Sequence, residues 1–93
     1  MKIGDYIKVK DIGYEYDSYK SYLYYLGEEH NYSKDILEHF NIRGLQEGDV
    51  GQVEFIGKHL VFTEREVLLI KVGQTYHLIG MEGVEKFEYR TRN

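Results

Sequence analysis

Cysteine, proline and tryptophan are all missing from the 93 residues of this chain. Without cysteine there is neither a disulfide framework nor a thiolate metal site to supplement the core, so hydrophobic packing must supply the stability, an arrangement suited to a reducing compartment. Long apolar runs are missing too. No segment approaches a membrane span, and the opening MKIGDYIKVK lacks the continuous apolar stretch of a secretory signal. A soluble, cytoplasmic protein with no membrane partner is expected. Basic charge is in deficit, with 12 Lys and Arg against 16 Asp and Glu and a net charge of −4. That argues against a broad footprint for nucleic acid, because backbone binding neutralises phosphates with cations. The tail KFEYRTRN, with Lys86, Arg90 and Arg92, is a local exception. The acidic residues are also too sparse to imitate DNA, their longest run being Glu28-Glu29. No low-complexity linker or internal repeat interrupts the chain, and its length fits one domain, 1–93.

Tyrosine and glycine dominate what is present. Eight of the ten tyrosines fall between Tyr6 and Tyr32, whereas Gly51, Gly57, Gly73, Gly80 and Gly83 punctuate β-type runs in the second half. Alternation over Tyr6–Lys10 predicts a strand with Ile7 and Val9 on one face and Tyr6, Lys8 and Lys10 on the other. The aromatic density that follows favours a hairpin with its turn near Asp17 and Ser18 and its second arm over Tyr19–Leu26. Tyr16, Tyr19 and Leu23 also recur at helical spacing, so an irregular helical turn is the alternative. Ser33 caps an expected short helix, SKDILEHF, with Asp35 in its first turn, Ile36, Leu37 and Phe40 on one face, and Asn41 or Gly44 ending it. Val50–Ile56, Val67–Val72, Thr75–Ile79 and Val84–Tyr89 read as four more strands, with Gly73 and Gln74 forming a two-residue type II′ turn.

One strand, an elaborated excursion, then consecutive strands is the order of an SH3-like barrel. Gly4-Asp5-Tyr6-Ile7-Lys8-Val9 and Gly48-Asp49-Val50-Gly51-Gln52-Val53-Glu54-Phe55-Ile56 resemble the opening strand and glycine-led second strand of SH3-like and KOW-type domains. Leu78-Ile79-Gly80-Met81-Glu82-Gly83-Val84 is similar to the short turn before their last strand, and the whole chain resembles small uncharacterised SH3-like proteins of Gram-positive bacteria and their phages. The resemblance implies a mainly β fold: a small SH3-like antiparallel barrel with a tyrosine-rich insertion over about 11–47 and one short helix. Two departures narrow its meaning. Roughly forty residues separate the two glycine-led strands, which lie close together in KOW domains, and this disfavours a ribosomal or transcription-factor role. The tryptophan and proline that help line the polyproline groove of signalling SH3 domains are absent, which disfavours that ligand, although Tyr14-Glu15-Tyr16-Asp17 resembles the groove's aromatic-acidic signature.

Catalytic constellations are not apparent. There is no cysteine nucleophile, Ser18, Ser21 and Ser33 all sit in the insertion, and His30, His39, His59 and His77 are scattered without zinc-site spacing. Glu38-His39 is merely adjacent, so the two side chains diverge on a helix. The histidines read as surface or partly buried residues, and Glu28-Glu29 and Glu64 with Glu66 as solvated carboxylates. The glycines do not cluster ahead of a helix as a phosphate cradle requires. No enzyme, no cofactor and no metal are expected. Tyrosine combines contact area, a polar tip and few rotors, so the candidate partner-binding residues are Tyr14, Tyr16, Tyr19, Tyr22, Tyr24 and Tyr25. Their alternative role is to close the open end of the barrel. Two functions compete. One is a non-catalytic protein-binding or self-associating module; small size, acidity and the phage-like resemblance fit an accessory or inhibitor protein of a bacterial mobile element. The other is a KOW- or Tudor-like nucleic-acid binder stacking bases beside Lys8, Lys10, Lys20 and Lys58. Tyrosines rimmed by Asp11, Glu15, Asp17, Glu28 and Glu29 would favour protein, and a lysine cluster around them nucleic acid.

Overall fold

The structure, a computed structural model, describes residues 1–16, 36, 38–59, 62 and 64–88. Five strands, Tyr6–Val9 (β1), Val50–Lys58 (β2), Glu66–Val72 (β3), Thr75–Gly80 (β4) and Val84–Lys86 (β5), form one antiparallel sheet in the order β4-β3-β2-β1-β5. The fold is therefore mainly β, and the strands expected to begin at Tyr6, Val50, Val67, Thr75 and Val84 are present with shifted ends. β2 continues to Lys58, and β5 ends at Lys86, although the Phe87 N–H still donates to Tyr6 O at 2.9 Å. In β1, Ile7 and Val9 are buried and Tyr6 and Lys8 exposed, as alternation demands. The β3–β4 hairpin closes in two residues. Gly73 has a φ of 59° while Gln74 stays negative, the sign pattern of a type II′ turn.

Apolar side chains fill both faces of β3. Leu68, Ile70 and Val72 join Ile7, Val9, Leu45, Val53, Ile79 and Val84 in the main core. Val67 and Leu69 face the other way, with Tyr76 and Leu78, and Tyr16, Ile36, Phe40 and Phe55 pack over them. Burial on two sides explains why the run Val67–Ile70 is continuously apolar rather than alternating. An irregularity between Val53 and Phe55 lets β2 serve both cores. Strict alternation would put Val53 and Phe55 on one face; the extra residue, Glu54, sends Val53 and Ile56 to the main core and Phe55 to the second. At Gly51 a Cβ would lie 2.7 Å from Lys71 O, so only glycine permits this approach of β2 to β3.

The outer edge of β4 is lined by two separate segments. Glu15 forms an isolated antiparallel bridge to Ile79, with the Tyr16 N–H donating to Leu78 O at 2.8 Å. Phe40 forms a parallel bridge to Tyr76, whose N–H donates to His39 O (2.9 Å) and whose carbonyl accepts from the Asn41 N–H (2.8 Å). All six residues of β4 are consequently buried. The hairpin expected around Asp17 and Ser18 lies outside the described residues. The residues leading into it, Ile12–Tyr14, make a 3-10 turn capped by Asp11, whose Oδ1 accepts from the Gly13 N–H at 2.8 Å. Of the expected helix from Ser33 to Phe40, Ile36 and Glu38 are helical, and Ser33–Asp35 and Leu37 lie outside the described residues. Asn41 takes the left-handed conformation, φ 52°, where the sequence places the end of that helix.

Candidate functional site

Three connections meet at one corner of the sheet. The first 3-10 turn, Ile12–Tyr14, packs on a second, Met81–Gly83, which joins β4 to β5. Gly83 O accepts from the N–H groups of Lys10 (2.9 Å) and Asp11 (3.1 Å), and a Cβ on Gly83 would stand 2.7 Å from Asp11 O and 2.8 Å from the Tyr14 Cβ. The missing side chain thus allows the two turns to touch. Tyr14 lies across Gly80 and Gly83 with 39% of its surface exposed. Tyr16 is half-buried against the second core, which leaves it part packing residue and part surface.

Opposite them stands the β2–β3 loop. The His59 N–H donates to Arg65 O (2.9 Å) and the Arg65 N–H to Phe62 O (2.8 Å). The Phe62 N–H donates to His59 Nδ1 at 3.0 Å, which places the proton of a neutral His59 ring on Nε2. The His59 ring centroid is 6.4 Å from Tyr16 and 5.3 Å from Phe62, within the range of tilted aromatic pairs. Arg65 holds its guanidinium 4.8 Å from the Phe62 ring centroid and its Nε 3.6 Å from Glu82 Oε2 in the second 3-10 turn. That ion pair is largely exposed, so its worth is at most about 1 kcal/mol. Its effect is to join the loop to the turn. Phe62 remains 47% exposed.

Tyr16, His59 and Phe62 thereby form an aromatic corner, with Tyr14 on the neighbouring pair of turns against Gly80 and Gly83. The segments that build it carry Asp11, Glu15, Glu64, Glu66 and Glu82 against Lys10, Lys58 and Arg65. Lys8 lies on β1 paired with Glu85 and Val50. Tyr19, Tyr22, Tyr24, Tyr25 and Lys20 lie outside the described residues, as do Asp17, Glu28, Glu29 and His30. Glu64 is exposed and Glu66 half-buried at the end of β3, so no buried carboxylate pair forms there.

His59, Phe62, Arg65 and Glu82 were not candidates on sequence grounds. The readable signal was topological: the loop between the second and third strands and the turn before the last strand share an end of the sheet with the first excursion. His77 also departs from expectation. It is wholly buried rather than surface or partly buried, because it shares the inward face of β4 with Thr75 and Ile79. A shallow depression of about 360 Å³, lined by Ile42, Arg43, Val72, Gly73, Gln74 and Thr75, lies at the β3–β4 turn and includes no corner residue. Among the described residues no three metal-ligating side chains come together. Comparisons with protein-family models, curated proteins and solved structures gave no match, so the corner's own geometry carries the functional reading.

Proposed function

We propose that this protein is a non-catalytic protein-binding module that docks its partner on the aromatic corner. The observation that carries the reading is the convergence of Tyr16, His59 and Phe62 from two distant connections, with Arg65 joined to Glu82 in the turn on which Tyr14 lies. Rigid aromatic rings lose little entropy on binding, and Tyr14 and Phe62 keep large exposed areas. The carboxylates of the three segments repel phosphate, which favours a protein with basic side chains over nucleic acid.

The proposed architecture is an SH3-like barrel. The strand order β4-β3-β2-β1-β5 and the 3-10 turn between β4 and β5 support it, as does the bridge from Glu15 to Ile79 along the β4 edge. In this reading the tyrosine-rich segment extends the docking face, and the cytoplasmic module serves as an accessory or inhibitor protein of a bacterial mobile element, or binds a second copy of itself. The test is affinity capture from nuclease-treated and untreated Gram-positive lysates, using the wild type and a folded Tyr14→Ala, Phe62→Ala variant. A protein retained after nuclease and lost with the variant supports docking at the corner. Capture that requires intact nucleic acid and weakens with salt overturns it in favour of the KOW-like alternative.

A further inference from the structure

Arg65 already shows how the corner holds a guanidinium. The guanidinium carbon stands 4.8 Å from the Phe62 ring centroid, and Nε lies 3.6 Å from Glu82 Oε2. A planar cation is thus held between a ring in the β2–β3 loop and a carboxylate in the turn that joins β4 to β5. The hold is loose. The contact with Glu82 is longer than a hydrogen bond, the two side chains are 53% and 38% exposed, and the Phe62 ring is 47% exposed. Nor does the loop depend on it, because the bonds from His59 N–H to Arg65 O and from Arg65 N–H to Phe62 O belong to the backbone.

An exposed cation–π contact and an exposed ion pair each contribute little. A second guanidinium, delivered by a partner with further contacts of its own, can therefore take the place of the first. We propose that Phe62 and Glu82 form a recognition site for an arginine side chain of a basic peptide, which Arg65 occupies from within the chain until the partner displaces it. Arginine suits the site better than lysine, because a flat guanidinium can stack on the ring while its edge donates to the carboxylate, whereas an ammonium is a point charge. Glu64, exposed in the same loop, adds a second carboxylate, which favours a cation and repels phosphate. The identification of the partner as a basic peptide rests on the docking function proposed for the corner.

Chemical-shift titration of the free protein with acetyl-glycyl-arginyl-glycinamide tests the site without any partner. Wild type should bind weakly, with shifts centred on Phe62, Arg65 and Glu82, and Arg65→Ala should bind about threefold to tenfold more tightly because the internal competitor is gone. In the Arg65→Ala background, adding Phe62→Ala or Glu82→Gln should reverse that gain. The lysyl peptide should bind less tightly, and the citrullyl peptide, which keeps the shape and loses the charge, should not bind measurably. If Arg65→Ala does not fold, Arg65→Gln, which keeps part of the stem and both backbone bonds, takes its place. Equal or weaker binding in the Arg65 variant, equal binding of the arginyl and citrullyl peptides, or binding that survives both Phe62→Ala and Glu82→Gln would each overturn the proposal. Capture of a partner at the corner without any response to the arginyl peptide would overturn this inference and leave the docking function standing.

Discussion

Gly83→Ala should loosen the corner without touching an aromatic ring. The new Cβ would sit 2.7 Å from Asp11 O, 2.8 Å from the Tyr14 Cβ and 3.0 Å from the Ile79 Cδ1. Two of these neighbours are a backbone carbonyl and the root of a side chain, so rotation of a side-chain tip cannot relieve the contact. The 3-10 turns must separate, weakening the bonds from Lys10 and Asp11 N–H to Gly83 O. Overpacking of this kind costs about 1–3 kcal/mol, and in a domain of this size each kcal/mol lowers the melting temperature by about 4–8 °C. Gly44→Ala is the matched control, because nothing lies within 4 Å of its Cβ position and its φ is ordinary; a change within about 0.5 kcal/mol is expected there. Urea titrations of both variants beside the wild type measure the difference. Equal midpoints for Gly83→Ala and Gly44→Ala would refute the contact between the two turns.

Three further outcomes follow from the same geometry. Leu68→Ala empties a fully buried site in the main core and should cost about 2–5 kcal/mol in chemical denaturation. Phe62→Ala removes a half-exposed ring held by His59 and Arg65, so stability should change by less than about 1 kcal/mol while partner affinity drops by about 2 kcal/mol or more, read by denaturation and by titration calorimetry. For His77 burial holds the folded pKa below the unfolded value of 6.5, so as pH falls through that value the unfolded chain takes up a proton that the fold refuses. Stability should therefore fall on acidification by up to about 1.4 kcal/mol per pH unit. Denaturation midpoints of wild type and His77→Gln between pH 7.5 and 5 should diverge in that direction, and parallel curves would contradict it.

The strands were readable because alternation is a local property: Ile7 with Val9, and the two sides of the Gly73-Gln74 turn, declare their faces within a few residues. The second core was less readable. Val67, Leu68, Leu69 and Ile70 are compatible with burial on both faces, but that Tyr16, Ile36 and Phe40 cover the second face depends on contacts distant in sequence. The irregularity at Glu54 was not readable either, since Val53, Phe55 and Ile56 suit either register until β3 selects partners for them. For the site, Tyr14 and Tyr16 announced themselves by composition. Phe62, Arg65 and Glu82 each resemble ordinary loop residues in sequence, and only the sheet order assembles them beside His59. His77 could have been assigned to the core from its alternation with Thr75 and Ile79, but its single-sided bond to Glu15 required the bridge between distant segments.

The most direct test of docking at the corner is chemical-shift mapping of the labelled protein against the partner that it captures. Perturbations centred on 11–16, 59–66 and 80–83 are predicted, with little change around the depression at 72–75. Perturbations centred instead on the outer face of β1 and β5, around Lys8 and Glu85, with the corner silent, would contradict the account.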